Sequence, residues 1–134
     1  MLLALFLSLY SCRKDEQKER LFVKALQSKW NVDEIEYYGR PSGTTGTIKF
    51  TTKRADFESE FAVTNDFYEG SIELSDGTNE EFYYEYFQIL SNNHMEVVMY
   101  STDGTERTNY ATELMTKDIW VFYWGNAVTY YLSK

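Results

Sequence analysis

Cysteine, histidine and proline each occur once in this chain, as Cys12, His94 and Pro41. A lone Cys leaves no partner for a disulfide framework. One His and one Cys fall short of the several nitrogen and sulfur ligands that a zinc site needs. One Pro means no Pro-rich linker. Bases are also scarce, 13 against 21 acids, for a net charge of −8. That balance argues against nucleic acid, whose affinity comes largely from Lys and Arg on phosphates. It argues equally against a polybasic membrane-binding surface. A basic protein partner or a cation remains compatible with it, and solubility alone accounts for it as well. No Gly-rich phosphate loop precedes a helix, and no Gly-x-Ser-x-Gly elbow is present. A Ser-His-acid triad would have to use His94, and nothing marks a nucleophile. The expectation is a protein that is not an enzyme and needs no cofactor. No apolar run is long enough to span a bilayer, since the uncharged stretch Met1 to Tyr10 is only about ten residues.

What is present begins with that stretch. MLLALFLSLY has the length of a secretory h-region. Leu9-Tyr10-Ser11-Cys12 follows, with an apolar residue three places before the Cys and a small one directly before it. This segment resembles the lipobox of bacterial lipoproteins. The resemblance implies cleavage before Cys12, acyl chains such as palmitate on that residue, and a membrane partner reached through them. Each buried lipid CH₂ contributes about 0.8 kcal/mol, so two or three chains make a stable anchor. Arg13-Lys14-Asp15-Glu16 then reads as a charged tether. It resembles the tethers of surface-displayed lipoproteins of Gram-negative bacteria, and a solvated linker explains it equally well. Arg13 also lacks the Asp that commonly retains lipoproteins at the inner membrane, so the outer membrane is the expected location. The organisation expected is a signal peptide over residues 1–11, a lipidated Cys and tether over 12–20, and one domain over 21–134.

Residues 15–28 carry the only helical pattern, with Leu21 and Ala25 four apart and Phe22 and Leu26 likewise. From Trp30 the period is two. Ile48 and Phe50 alternate with polar neighbours, as do Phe57, Phe61 and Val63, then Tyr68 to Leu74, then Met95, Val97 and Met99. Asn65-Asp66, Asp76-Gly77, Asn92-Asn93, Asp103-Gly104 and Gly125-Asn126 punctuate these runs as turns. The spacing predicts strands over 29–38, 45–52, 56–63, 67–74, 80–90, 94–101, 106–114, 118–124 and 127–132. Short connections make sequential strands pair antiparallel. The fold class expected is all-β, an antiparallel up-and-down barrel of eight or nine strands with a short N-terminal helix, because closure removes exposed edges. A β-sandwich is the alternative. A short helix, Trp30 at the start of the first strand, Gly46-Thr47-Ile48-Lys49-Phe50 and successive hairpins resemble the lipocalin-like domains of bacterial lipoproteins. Ser28 stands where the lipocalin signature has Gly, and no Arg in the last strand is available to cover Trp30. The resemblance implies binding of a small hydrophobic molecule.

Few side chains suggest chemistry. The carboxylate pairs Glu58/Glu60 and Glu69/Glu73 sit on faces predicted to be wet, and His94 reads as a solvent-facing strand residue. Ser75-Asp76-Gly77-Thr78 and Thr102-Asp103-Gly104-Thr105 look alike but do not space oxygens like an EF-hand, so hairpin turns explain them without metal. Aromatics are abundant at 18%, with 12 Tyr. Phe82 to Phe87, Trp120 to Trp124 and Tyr130-Tyr131 carry them on both faces of their strands, one face for the core and the other for a patch or for packing. Two functions follow. One is a lipid-anchored binding protein holding a small hydrophobic or aromatic ligand, lined by Tyr84, Tyr86, Met95, Met99, Phe122 and Trp124. The other is an acidic interaction module with a filled barrel, docking on a basic protein as an enzyme inhibitor or as a subunit of an outer-membrane complex.

Overall fold

The computed structural model describes residues 23–89 and 94–134. The signal segment, Cys12, the tether, the first part of the 15–28 helix and the Asn92-Asn93 turn lie outside the described residues. Residues 23–26 form a single helical turn. Nine strands follow: β1 (Lys29–Tyr37), β2 (Arg40–Pro41), β3 (Gly46–Arg54), β4 (Tyr68–Leu74), β5 (Asn79–Ile89), β6 (His94–Ser101), β7 (Arg107–Met115), β8 (Ile119–Trp124) and β9 (Val128–Ser133). All pairings are antiparallel. They run in chain order, and β9 returns to pair with β1, which closes an eight-stranded barrel. The two-residue β2 is an extra strand hydrogen-bonded to the end of β1. The up-and-down barrel expected from the alternating runs is therefore the architecture found.

One expected strand is not a strand. Residues 56–63 alternate as a strand should, yet 55–67 form an irregular strap without ladder pairing. The alternation is used differently. Phe57 turns onto the outer face of β5 and β6, where its ring lies 5.0 Å from Phe67, 4.9 Å from Tyr83 and 5.4 Å from Tyr100. Phe67, Val98 and Tyr100 are buried there, forming a second core outside the barrel. The second aromatic face of β5 is thus covered by this chain's own strap. At its base Ala55 N–H donates to the Phe67 carbonyl at 2.9 Å, and Arg54 pairs with Asp66 at 2.8 Å.

The strap is held by a charge. Glu85 lies on the outer face of β5 with no exposed surface. One carboxylate oxygen accepts from Val63 N–H at 2.9 Å, Thr64 N–H at 2.8 Å and Thr64 Oγ1 at 3.0 Å. The other accepts from the Tyr100 hydroxyl, which in turn accepts from Arg107 Nε at 3.3 Å. A buried carboxylate is costly unless its lone pairs are met, and four donors meet these.

Inside the barrel the rings touch in series. Trp30 meets Trp120 at 5.7 Å, Trp120 meets Phe50 at 5.2 Å and Phe122 at 4.7 Å, and Phe50 meets Tyr84 at 5.1 Å. All five are fully buried. Gly70 makes room for this packing: a Cβ there would stand 2.4 Å from the Phe82 ring and 2.9 Å from the Lys49 carbonyl. The helical turn closes one end. The Trp30 indole donates to the Leu26 carbonyl at 3.3 Å. Lys134 Nζ sits 4.1 Å from the centre of the Trp30 ring, so a Lys supplies the cationic cover that no Arg provides. It also donates to the Ala25 carbonyl at 3.1 Å and to Ser28 Oγ.

Candidate functional site

The inner face of β8, β9 and β1 is a ladder of rungs. Trp120, Leu132 and Val32 share the deepest rung, Phe122, Tyr130 and Ile35 the next, and Trp124, Val128 and Tyr37 the last. Exposure changes sharply along it. Trp120, Phe122 and Ile35 are fully buried, whereas Trp124 is 53% and Tyr37 45% exposed. The face that fills the core therefore ends in open aromatic rings. This mouth lies at the end carrying the turns at 38–39, 75–78, 102–106 and 125–127, opposite the helical turn.

Tyr110 of β7 completes the floor. It meets Phe122 at 5.1 Å, edge to face, and Tyr130 at 5.8 Å with planes at 89°. Phe122 and Tyr130 stack at 4.8 Å. The Tyr110 and Tyr130 phenols are close enough to influence each other's ionisation, and Thr108 lies near Tyr110. Burial pushes both phenols above their ordinary range, and Tyr37 adds to each shift. Asp76, in the turn at this end, acts on Tyr130 in the same sense. Hydrogen bonds from Thr78 hold Asp76 itself below the usual carboxylate range. Glu80, on the same β4–β5 hairpin, is exposed. It pairs with Ile72, whose side chain faces the interior.

The six residues expected to line a ligand divide between two places. Tyr84, Tyr86, Met95 and Met99 lie on the inner faces of β5 and β6. Tyr84 is fully buried; its hydroxyl donates to the Thr51 carbonyl at 2.6 Å and accepts from Gln27 Nε2 at 3.4 Å. Tyr86 stacks on Tyr68 at 5.9 Å, and Met95 and Met99 are half-buried against the core. Phe122 and Trp124 belong to the mouth. Tyr37, Tyr110, Tyr130 and Asp76 were absent from that set. The Gly125-Asn126 turn, counted outward in register, reaches Tyr130 from Phe122. Tyr37 has no such local signal, because it joins the rung only when β9 closes on β1.

The other sequence candidates stay separate. Glu58, Glu60 and Glu73 are exposed, and Glu69 pairs with Lys53 at 3.3 Å. The two Asp-Gly loops are hairpin turns whose Asp caps the backbone two residues on, Asp76 to Thr78 at 2.9 Å and Asp103 to Thr105 at 3.0 Å. Hydrogen bonds from the Thr105 backbone and the Ser101 and Thr105 hydroxyls lower Asp103 to about 2. Among the described residues no group of three or more His, Cys, Asp or Glu gathers as for a metal ion. Nor is any helix among them long and apolar enough to cross a membrane.

Comparison with known proteins finds no match: no family model, no curated protein and no solved structure corresponds to this chain.

The buried phenols make stability depend on pH. Burial, reinforced by Tyr86 and Tyr68, pushes Tyr84 far above the ordinary phenol range, and Tyr130 is raised similarly. A raised folded value means the native state disfavours the phenolate. The associated stability is intact below the unfolded value of about pH 10 and is lost as pH rises beyond it. Phenolate absorbance from these rings is expected to rise together with loss of the barrel's circular dichroism. Ionisation of Tyr84 and Tyr130 in a still-folded barrel, read by NMR, would contradict this.

Proposed function

We propose that the protein is a lipid-anchored, non-enzymatic binding domain of the cell envelope that takes a small apolar or aromatic ligand at the mouth of its barrel. The observation that carries the reading is the exposure of Trp124 and Tyr37 on a face whose deeper rungs are filled. A ligand laid on that floor removes apolar ring surface from water at about 25 cal/mol per Å². The phenols give it polar handles. The lipobox-like Leu9-Tyr10-Ser11-Cys12 and the absence of any other Cys support the anchor, and the outer membrane is its proposed site. The described chain enters at the helical turn, opposite the mouth, so such an anchor would leave the mouth facing away from the bilayer.

One spectrum tests both parts. In native mass spectrometry of protein purified from envelopes, the chain is expected to carry acyl mass that Cys12→Ser removes. It is also expected to form a stoichiometric adduct with a component of envelope extract, lost in the Tyr37→Ala/Trp124→Ala double variant. An unacylated chain sinks the anchor, and a clean apo mass in every extract sinks the ligand.

A second reading rests on the outer wall. Leu114, Val121 and Tyr131 stand in register across β7, β8 and β9, with Leu114 48% and Tyr131 36% exposed. Glu36 and Glu113 both raise the Tyr131 phenol above its ordinary range, which gives the patch an acidic flank. A protein with an apolar centre and a basic rim fits there. Such a partner is released by salt and still binds the Tyr37→Ala/Trp124→Ala variant, which a ligand at the mouth does not.

A further inference from the structure

We infer that the mouth selects organic cations, and that the group it recognises is an alkylammonium. This inference rests on the mouth being the binding site, and it adds the charge of what binds there.

The rings supply the first half of the argument. The face of an aromatic ring carries negative quadrupole density, with Trp and Tyr better than Phe. Trp124 and Tyr37 expose large parts of their rings on one rung. Beneath them Tyr110 and Tyr130 stand perpendicular at 5.8 Å, so the floor under the open rung presents rings in two orientations. Neighbouring rings turned in this way enclose a trimethylammonium better than they enclose a flat neutral ring, which prefers a single parallel partner.

The charges supply the second half. Asp76 acts on the Tyr130 phenol, and its hydrogen bonds with Thr78 keep it ionised. Glu80 stands on the same β4–β5 hairpin, paired with Ile72 on the inner face. The competing bases are Arg40 and Arg107. Arg107 is drawn to the outer wall, its Nε on the Tyr100 hydroxyl and its guanidinium 5.8 Å from that ring's centre. Arg40 flanks Tyr37 through the β1–β2 pair. Two carboxylates against one nearby guanidinium leave the mouth negative, in keeping with the chain's overall −8. An anionic ligand is repelled there. A neutral one gains the rings and leaves the carboxylates unused.

The test compares choline with its neutral carbon isostere 3,3-dimethylbutanol, using indole as an uncharged aromatic probe, on the purified full chain in detergent at fixed salt. The readout is the indole N–H resonance of Trp124, with buried Trp30 and Trp120 as internal controls. Choline is expected to shift Trp124 alone and to bind about tenfold tighter than the isostere, the range of a partly desolvated cation–π contact. Tyr37→Ala should abolish the choline-induced shift of Trp124. Asp76→Asn, which keeps the turn's acceptor oxygen, should weaken it several-fold and leave indole unaffected. Binding of the isostere or of indole at least as tight as that of choline overturns the cation inference and leaves the mouth as a binding site. No response of Trp124 to any of the three probes overturns both.

Discussion

Glu85→Ala is expected to destabilise the protein by about 3 kcal/mol and to release the strap while the barrel stays closed. The substitution removes the acceptor for Val63 N–H, Thr64 N–H, the Thr64 hydroxyl and the Tyr100 hydroxyl together. A charged acceptor contributes roughly 1.5–3 kcal/mol per bond, and donors left buried without a partner cost more than donors returned to water. The strap can peel back and hydrate its N–H groups, which limits the loss. Urea unfolding gives the magnitude. Hydrogen exchange gives the location, with faster exchange over 55–67 and no change in β1, β8 and β9. Glu85→Gln keeps one acceptor oxygen for Val63 and Thr64 but places an NH₂ against Tyr100, so about 1 kcal/mol is expected. Wild-type stability in Glu85→Ala would mean that Phe57 and Phe67 alone hold the strap.

Phe50→Ala is expected to cost about 4 kcal/mol, the largest single effect in the barrel. Phe50 is fully buried and meets three rings, Phe82 at 5.6 Å, Tyr84 at 5.1 Å and Trp120 at 5.2 Å. Two strands, β5 and β8, hold those rings, so the site cannot collapse without moving the sheet, and a cavity remains. Phe50→Leu fills most of the space and should cost roughly 1–2 kcal/mol. The cavity gives a second readout. An apolar void of this kind stays dry and takes up benzene, so benzene should raise the thermal midpoint of Phe50→Ala and leave that of the wild type unchanged. Stabilisation of the wild type by benzene, with no response of the Trp124 resonance, would reveal room inside the barrel and would move the ligand site from the mouth to the interior.

How far the fold could be read in advance depends on how local each signal is. The alternation of Ile48 and Phe50, or of Met95, Val97 and Met99, needs only neighbours, because successive side chains on a strand point to opposite faces. The Asp-Gly turns are equally local: Gly77 and Gly104 adopt φ of +97° and +77°, which Gly reaches cheaply. Strand boundaries accordingly fall within two residues of expectation for eight of the nine strands read from the sequence. The ninth, 56–63, misled because Phe57, Phe61 and Val63 carry a genuine period of two without a partner strand. Phe57 is anchored outside the barrel, while Phe61 and Val63 are left 63% and 51% exposed. Glu85 carries no local sign of its burial. A carboxylate between Tyr84 and Tyr86 reads as a wet residue, and only the strap folding over it supplies its donors.

The sequence by itself determined the class of the protein. Period-two patterning and short turns make an antiparallel meander, the aromatic surplus supplies its core, and the acid excess sets the sign of its surface. The single Cys, behind an apolar leader-like run, carries the proposal of an anchor. The tertiary structure alone decided which aromatics are core and which are open. Trp120, Phe122 and Trp124 share one face and one strand, and their local patterns are the same. They differ in exposure because closure of β9 on β1 sets how far along the barrel axis each rung lies, and only the last rung reaches the rim. Depth along a closed barrel is a property of the whole circuit of strands, so no window of sequence contains it.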